Sequence, residues 1–66
     1  MEKKFVVFSV CDVIEDKVTY TIYPIDRIKY IEEYGGERCI LYFNDVEEHV
    51  IIEGSIFSVL EKLYKA

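Results

Sequence analysis

From Phe5 to Val10 the chain carries apolar side chains at odd and even positions alike: Phe5 and Val7 on one parity, Val6, Phe8 and Val10 on the other. Successive side chains of a strand point to opposite faces. A strand built from this run is therefore apolar on both sides. The same holds between Arg38 and Phe43, where Cys39, Leu41 and Phe43 oppose Ile40 and Tyr42. A sheet made of such strands needs a cover on each face, and that requirement governs the rest of the chain.

Short runs rich in Val, Ile, Tyr and Phe recur between turn signals, which is the signature of strands. The spacing predicts strands over about 4–13, 18–23, 27–34, 38–43 and 46–52. Glu15-Asp16-Lys17 forms a polar turn after the first. Pro24 lacks the N–H that a sheet ladder uses, so the second strand stops there and Pro24-Ile25-Asp26 makes a turn. Gly35-Gly36 supplies a hairpin loop, and Asn44-Asp45 a further tight turn. The period then changes. Ser55 is a helix N-cap, and Ile56, Val59, Leu60 and Leu63 fall on one stripe of a helix over about 56–64. Lys62 and Lys65 lie where the helix dipole favours cations.

The expected fold is one domain over 1–66, mainly β (α+β): an antiparallel meander of about five strands with a C-terminal helix packed on one face. One helix covers one face. The uncovered face is expected to serve as an interface between copies, since large exposed apolar patches mark interaction sites. Candidate interface residues are Phe5, Val7, Phe8, Tyr20, Ile40 and Tyr42. The alternative is a sheet that curls into a small barrel and hides its second face inside.

With 66 residues, a domain buries only about 60% of its unfolded surface and depends on a supplement to its core. Disulfides are a poor candidate, because Cys11 and Cys39 allow at most one bridge and read as buried thiols. A zinc site is disfavoured by the absence of a CxxC pair and by a single histidine, His49. No cofactor is expected either, as neither a phosphate-binding Gly loop nor a Ca²⁺ loop is present. Lys3 and Lys4 before an apolar run resemble a signal peptide, but Ser9 and Asp12 break the run and no cleavage site follows. Together with the lack of a membrane-length apolar stretch, this suggests a cytoplasmic protein of a bacterium or a phage-infected host cell, with no membrane partner.

A net charge of −5 argues against direct binding to a nucleic-acid backbone. Between Tyr30 and Glu53 seven acids (Glu32, Glu33, Glu37, Asp45, Glu47, Glu48, Glu53) face a single base, Arg38. Glu32, Glu33, Glu37, Asp45, Glu47 and Glu48 lie on two adjacent hairpins and are the candidate protein-binding surface, expected to merge into one negative patch. A solvated rim that blunts sheet edges is the plainer explanation. Tyr23, Arg27, Tyr34 and Arg38 are candidates for a nucleotide-sized ligand. No catalytic residue is assigned. His49, flanked by Glu47 and Glu48, is expected to lie alongside Glu47 on a strand without a positioned nucleophile.

The stretch Arg27-Ile28-Lys29-Tyr30-Ile31-Glu32-Glu33 resembles the "LIEYIEE" segment of the small FlbD-type proteins of bacterial motility operons. In that family a short strand, an Asn-Gly turn, another strand and a Ser-led terminal helix follow. The counterparts here are Cys39 to Phe43, Asn44-Asp45, His49 to Ile52, and Ser55 through Leu63, with Asp45 in place of the turn glycine. The likeness covers roughly residues 18 to 64 and implies a fold without catalytic residues. An "I-x-Y-I-E" strand also occurs in LytTR-type DNA-binding domains, which are longer and carry basic loops.

These features together lead to the expectation of a non-enzymatic regulatory or binding module that acts as a homo-oligomer and engages another protein. The alternative is a phage-type inhibitor of a host defence system. It would block a basic, nucleic-acid-binding cleft with its acidic hairpins, or sequester a signalling nucleotide between subunits.

Overall fold

A computed structural model describes residues 3–66. Its elements are Phe5–Asp12 (β1), Lys17–Pro24 (β2), a single 3-10 turn at Ile25–Arg27, Ile28–Glu33 (β3), Arg38–Phe43 (β4), His49–Glu53 (β5) and Ile56–Lys65 (α1). Five antiparallel strands and one C-terminal helix form the fold expected from the sequence. The strand order is β2-β1-β5-β4-β3. β3, β4 and β5 run as a meander, β1 and β2 form a hairpin, and β1 joins the two units by pairing Val10 with Ile52 and Cys11 with Ile51.

Local chemistry sets the boundaries. The Asp12 carboxylate accepts the N–H groups of Ile14 and Glu15 at 3.0 and 3.1 Å, which turns the chain out of β1. Asp16 completes the hairpin with φ of 52°. The fifth strand starts at His49 and not near Val46, because the preceding residues are tied to the 3-10 turn. The Asn44 N–H donates to the Arg27 carbonyl at 2.8 Å, and its side-chain amide donates to the Asp26 carbonyl at 2.9 Å. Arg27 also pairs with Asp45 at 3.1 Å. Asn44-Asp45 is thus the start of a wider anchored loop.

β2 and β3 are the two edges of the sheet, yet only Ile25, Asp26 and Arg27 separate them. In a flat sheet the edges of five strands lie about 19 Å apart, at about 4.8 Å per strand. Four peptide steps span at most about 14 Å. The sheet must therefore roll, and contacts across the roll bear this out. Tyr23 of β2 packs on Phe43 of β4 with ring centroids 5.2 Å apart, and on Phe8 at 6.5 Å.

The concave face holds the core: Val6 and Phe8 of β1, Cys39, Leu41 and Phe43 of β4, Ile52 of β5, and Val59 of α1. Phe8 is fully buried, so it belongs to the core and not to the interface proposed for it from the sequence. Of the helical stripe, Val59 is buried and Ile56 and Leu63 pack against the core, whereas Leu60 is largely exposed at the rim of a groove it lines with Ile28, Tyr30 and Ile31. A ten-residue helix crossing a rolled sheet touches it along a narrow line, which accommodates three of the four. Lys62 reaches from α1 to donate to the Val7 carbonyl at 3.1 Å.

The helix begins as read. Ser55 Oγ accepts the Ser58 N–H at 3.2 Å. Gly54 has φ of +119°, and a Cβ there would stand 2.9 Å from Ser58 Oγ. Gly54→Ala is expected to destabilise by at least about 1 kcal/mol, and Ser55→Ala by about 1 kcal/mol. Urea denaturation at a fixed protein concentration measures both. Unchanged midpoints would show that the helix start does not depend on these contacts.

Candidate functional site: the outer face of the rolled sheet

Strand pairing defines which side chains share the convex face. Val18, Cys11, Ile51, Ile40 and Glu32 lie in one row across the five strands. Flanking rows add Tyr20, Ser9, Glu53 and Arg38 on one side, and His49, Tyr42 and Tyr30 on the other. Beyond them β1 and β2 contribute Phe5, Val7 and Ile22. This face is apolar, as the sequence parity required, and α1 lies on the other side.

Exposure is uneven across it. On the hairpin half, Tyr20 is 78%, Ile22 61%, Val18 52%, Phe5 48% and Val7 46% exposed. On the meander half, Ile40, Tyr42 and Ile51 are half-buried. The apolar patch is therefore centred on β2 and the first half of β1. Ile22 and Val18 are absent from the interface residues expected from the sequence, although their alternation with Thr19 and Thr21 carries the signal.

The polar groups on this face pair among themselves. Cys11 donates its thiol hydrogen to Glu53 at 3.1 Å, and Arg38 lies 3.7 Å from the same carboxylate. Tyr30 and Tyr42 stack at 4.5 Å, with His49 5.6 Å from Tyr42. A hydrogen bond with Glu32, together with a little burial, raises the Tyr42 phenol pKa. Burial also raises that of Tyr23.

The acidic hairpins do not merge into one surface. Their turns lie at opposite ends of β4, a six-residue strand about 20 Å long. Glu32, Glu33 and Glu37 occupy one end, while Asp45, Glu47 and Glu48 occupy the other, where Arg27 engages Asp45. The four ligand candidates are likewise divided. Tyr23 and Arg27 flank Phe43, with the guanidinium 5.0 Å from its ring. Tyr34 and Arg38 sit beyond the far end of β3, joined by a backbone hydrogen bond of 2.8 Å. They form two separate corners and not one pocket.

Little here is arranged for chemistry. Glu47 and Glu48 lie in the loop, so strand alternation does not place Glu47 beside His49 as the sequence suggested. Ser55 and Ser58 are engaged in the helix cap. Among the described residues no group of three or more His, Cys, Asp or Glu could hold a metal ion. No helix among them is long and apolar enough to cross a membrane.

Both thiols are held in the neutral form. Burial chiefly raises the Cys11 pKa, and Glu53 adds to it. Burial raises that of Cys39, with Glu33 contributing. A thiolate is the reactive species, and burial works against forming it at either position. A pKa raised on folding favours the folded state below the unfolded thiol value of 9.0 and loses that contribution as pH climbs through the folded value. Denaturation midpoints are expected to fall above that pH in the wild type, and less steeply in Cys39→Ala. Identical alkaline slopes would exclude a thiol origin.

No protein-family model, no curated protein and no solved structure matches this chain.

Proposed function

We propose that this chain is a non-enzymatic binding module that works as a homo-oligomer, with the apolar patch on β1 and β2 as its self-association surface. The exposed row Val18, Tyr20 and Ile22, beside Phe5 and Val7, is the observation that carries this reading. Fully burying one such side chain from full exposure is worth about 1.5–3 kcal/mol, and roughly half of that or more is forgone at each of these five part-exposed positions. The total surface points the same way. A monomer of 7.8 kDa exposes about 4,400 Å² by the scaling of surface with mass, whereas this chain exposes 5113 Å². The excess is about 700 Å². Light scattering after gel filtration at micromolar concentration is expected to give a dimer or larger species. A strict monomer overturns the proposal.

The acidic end of the β3–β4 hairpin supports a partner-directed role for the assembled module. Glu33 and Glu37 are exposed and carry no ion pair among the described residues. Such a surface suits a basic protein cleft, whose approach it would steer electrostatically. Capture from a host lysate is expected to recover a nuclease or other basic effector at stoichiometric levels, and the triple change E32Q/E33Q/E37Q to lose it. Recovery of chaperones alone would count against this role.

A further inference from the structure

The two edges of the sheet are defended very differently. β3 carries a register irregularity between Ile28 and Tyr30, with Lys29 at the break and Glu32-Glu33 at its end. Bulges and edge charges are the usual devices that stop a strand from pairing with another chain. β2 lacks a bulge and an acid, and its only such devices are Lys17 at its start and Pro24 at its end. It reads Lys-Val-Thr-Tyr-Thr-Ile-Tyr-Pro, keeps unbroken register with β1 over eight residues, and contains no acid. Long, regular and apolar, it is the kind of edge that recruits a further strand.

The backbone of β2 shows which groups are free. The Ile25 N–H donates to the Lys4 carbonyl at 2.9 Å, so Ile25 faces β1. By alternation along the ladder Lys17, Thr19, Thr21 and Tyr23 also face β1. Val18, Tyr20, Ile22 and Pro24 then turn their backbone groups outward, away from the sheet. Pro24, which has no N–H to offer, sits on the side where none is used.

We infer that β2 pairs antiparallel with β2 of a second copy about a two-fold axis through Tyr20. This rests on the proposed self-association and adds an edge contact through β2 beside the apolar patch; Phe5 and Val7, one strand in, are not covered by the pairing itself. Tyr20 then opposes Tyr20 of the second copy, and Val18 opposes Ile22 in both directions, which forms about six new backbone hydrogen bonds. On the convex face the cross-strand pairs are aromatic with aromatic and β-branched with β-branched; on the other face Thr19 meets Thr21. No like charges stand opposite one another. A two-fold centred on Thr21 would set Val18 against Pro24, which lacks the donor. One centred on Thr19 would set Ile22 against Asp16. Only the Tyr20 centre pairs Val18, Tyr20 and Ile22 with one another and keeps Pro24, whose ring fills the place of an N–H, out of those pairs.

Hydrogen exchange on the wild-type chain, read by NMR alongside the solution mass, tests this directly. The amides of Val18, Tyr20 and Ile22 are expected to exchange at least tenfold more slowly in the dimer than after dilution to monomer. Those of Thr19 and Thr21 should be protected in both. Under mild oxidation Tyr20→Cys in a Cys11→Ser background should cross-link to itself, since opposed residues at about 5.5 Å suit a disulfide, while Ile22→Cys alone should not. A dimer whose Val18, Tyr20 and Ile22 amides exchange freely overturns the edge pairing, leaves self-association intact, and points to stacking of convex faces. A monomer at all concentrations overturns both.

Discussion

The connection between β2 and β3 is the constraint on which the rest of the structure depends. Three residues join strands that the hydrogen-bond order assigns to opposite edges, and no flat sheet satisfies both facts. Rolling the sheet brings Tyr23 against Phe43 and creates a concave side that can be filled. Without the roll, Val6, Phe8, Leu41 and Ile52 would line an open plane too wide for one ten-residue helix. With it, α1 needs to cover only the mouth of a trough. The anchoring of Asn44 and Asp45 to the 3-10 turn then braces the corner. The exposed ion pair there contributes little by itself. Its value is in fixing where the loop begins.

Rolling a sheet that is apolar on both faces solves one problem and leaves the other. The concave face becomes a core; the convex face turns to solvent with its apolar residues spread around a curved surface. On the meander half, neighbours on both sides leave Ile40 and Ile51 half-buried. The β1–β2 hairpin has fewer neighbours, because β1 pairs with β5 at only two positions. Val18, Tyr20 and Ile22 stay exposed for this reason. The patch is thus a consequence of topology, and its location beside the regular, acid-free β2 edge is what gives the proposed self-association a specific geometry.

The distribution of charge fits a division of labour. Acids concentrate on the turns at the two ends of β4 and on the β3 edge, while β2 has none. Charged turns blunt the approach of other chains to a small apolar sheet, and the acid-free edge, whose one charge is Lys17 at its start, marks where pairing costs least in repulsion. Of the two thiols, Cys39 is core and Cys11 donates to Glu53.

Much of the fold was legible from local patterns. Strand parity, Pro24, the glycine turn and the Ser55 cap each act within a few residues, so five strands and a terminal helix follow from the sequence by itself. Two-sided apolarity in the first and fourth strands was equally visible, since alternation is a property of any strand. Which parity faces inward was not visible. Phe5 and Phe8 are chemically alike, and only the direction of the roll makes Phe8 core and leaves Phe5 half exposed. Leu60 likewise fits the helical stripe by period yet lies outside the contact line. The acidic hairpins looked contiguous because they are adjacent in sequence, but antiparallel pairing sends successive turns to opposite ends of a strand. Tyr23, Arg27, Tyr34 and Arg38 were separated by the same geometry. Composition and period thus determined the elements and the existence of an uncovered apolar face. The pairing order and the short β2–β3 link, which are long-range properties of the closed chain, decided where that face lies and which edge is left open.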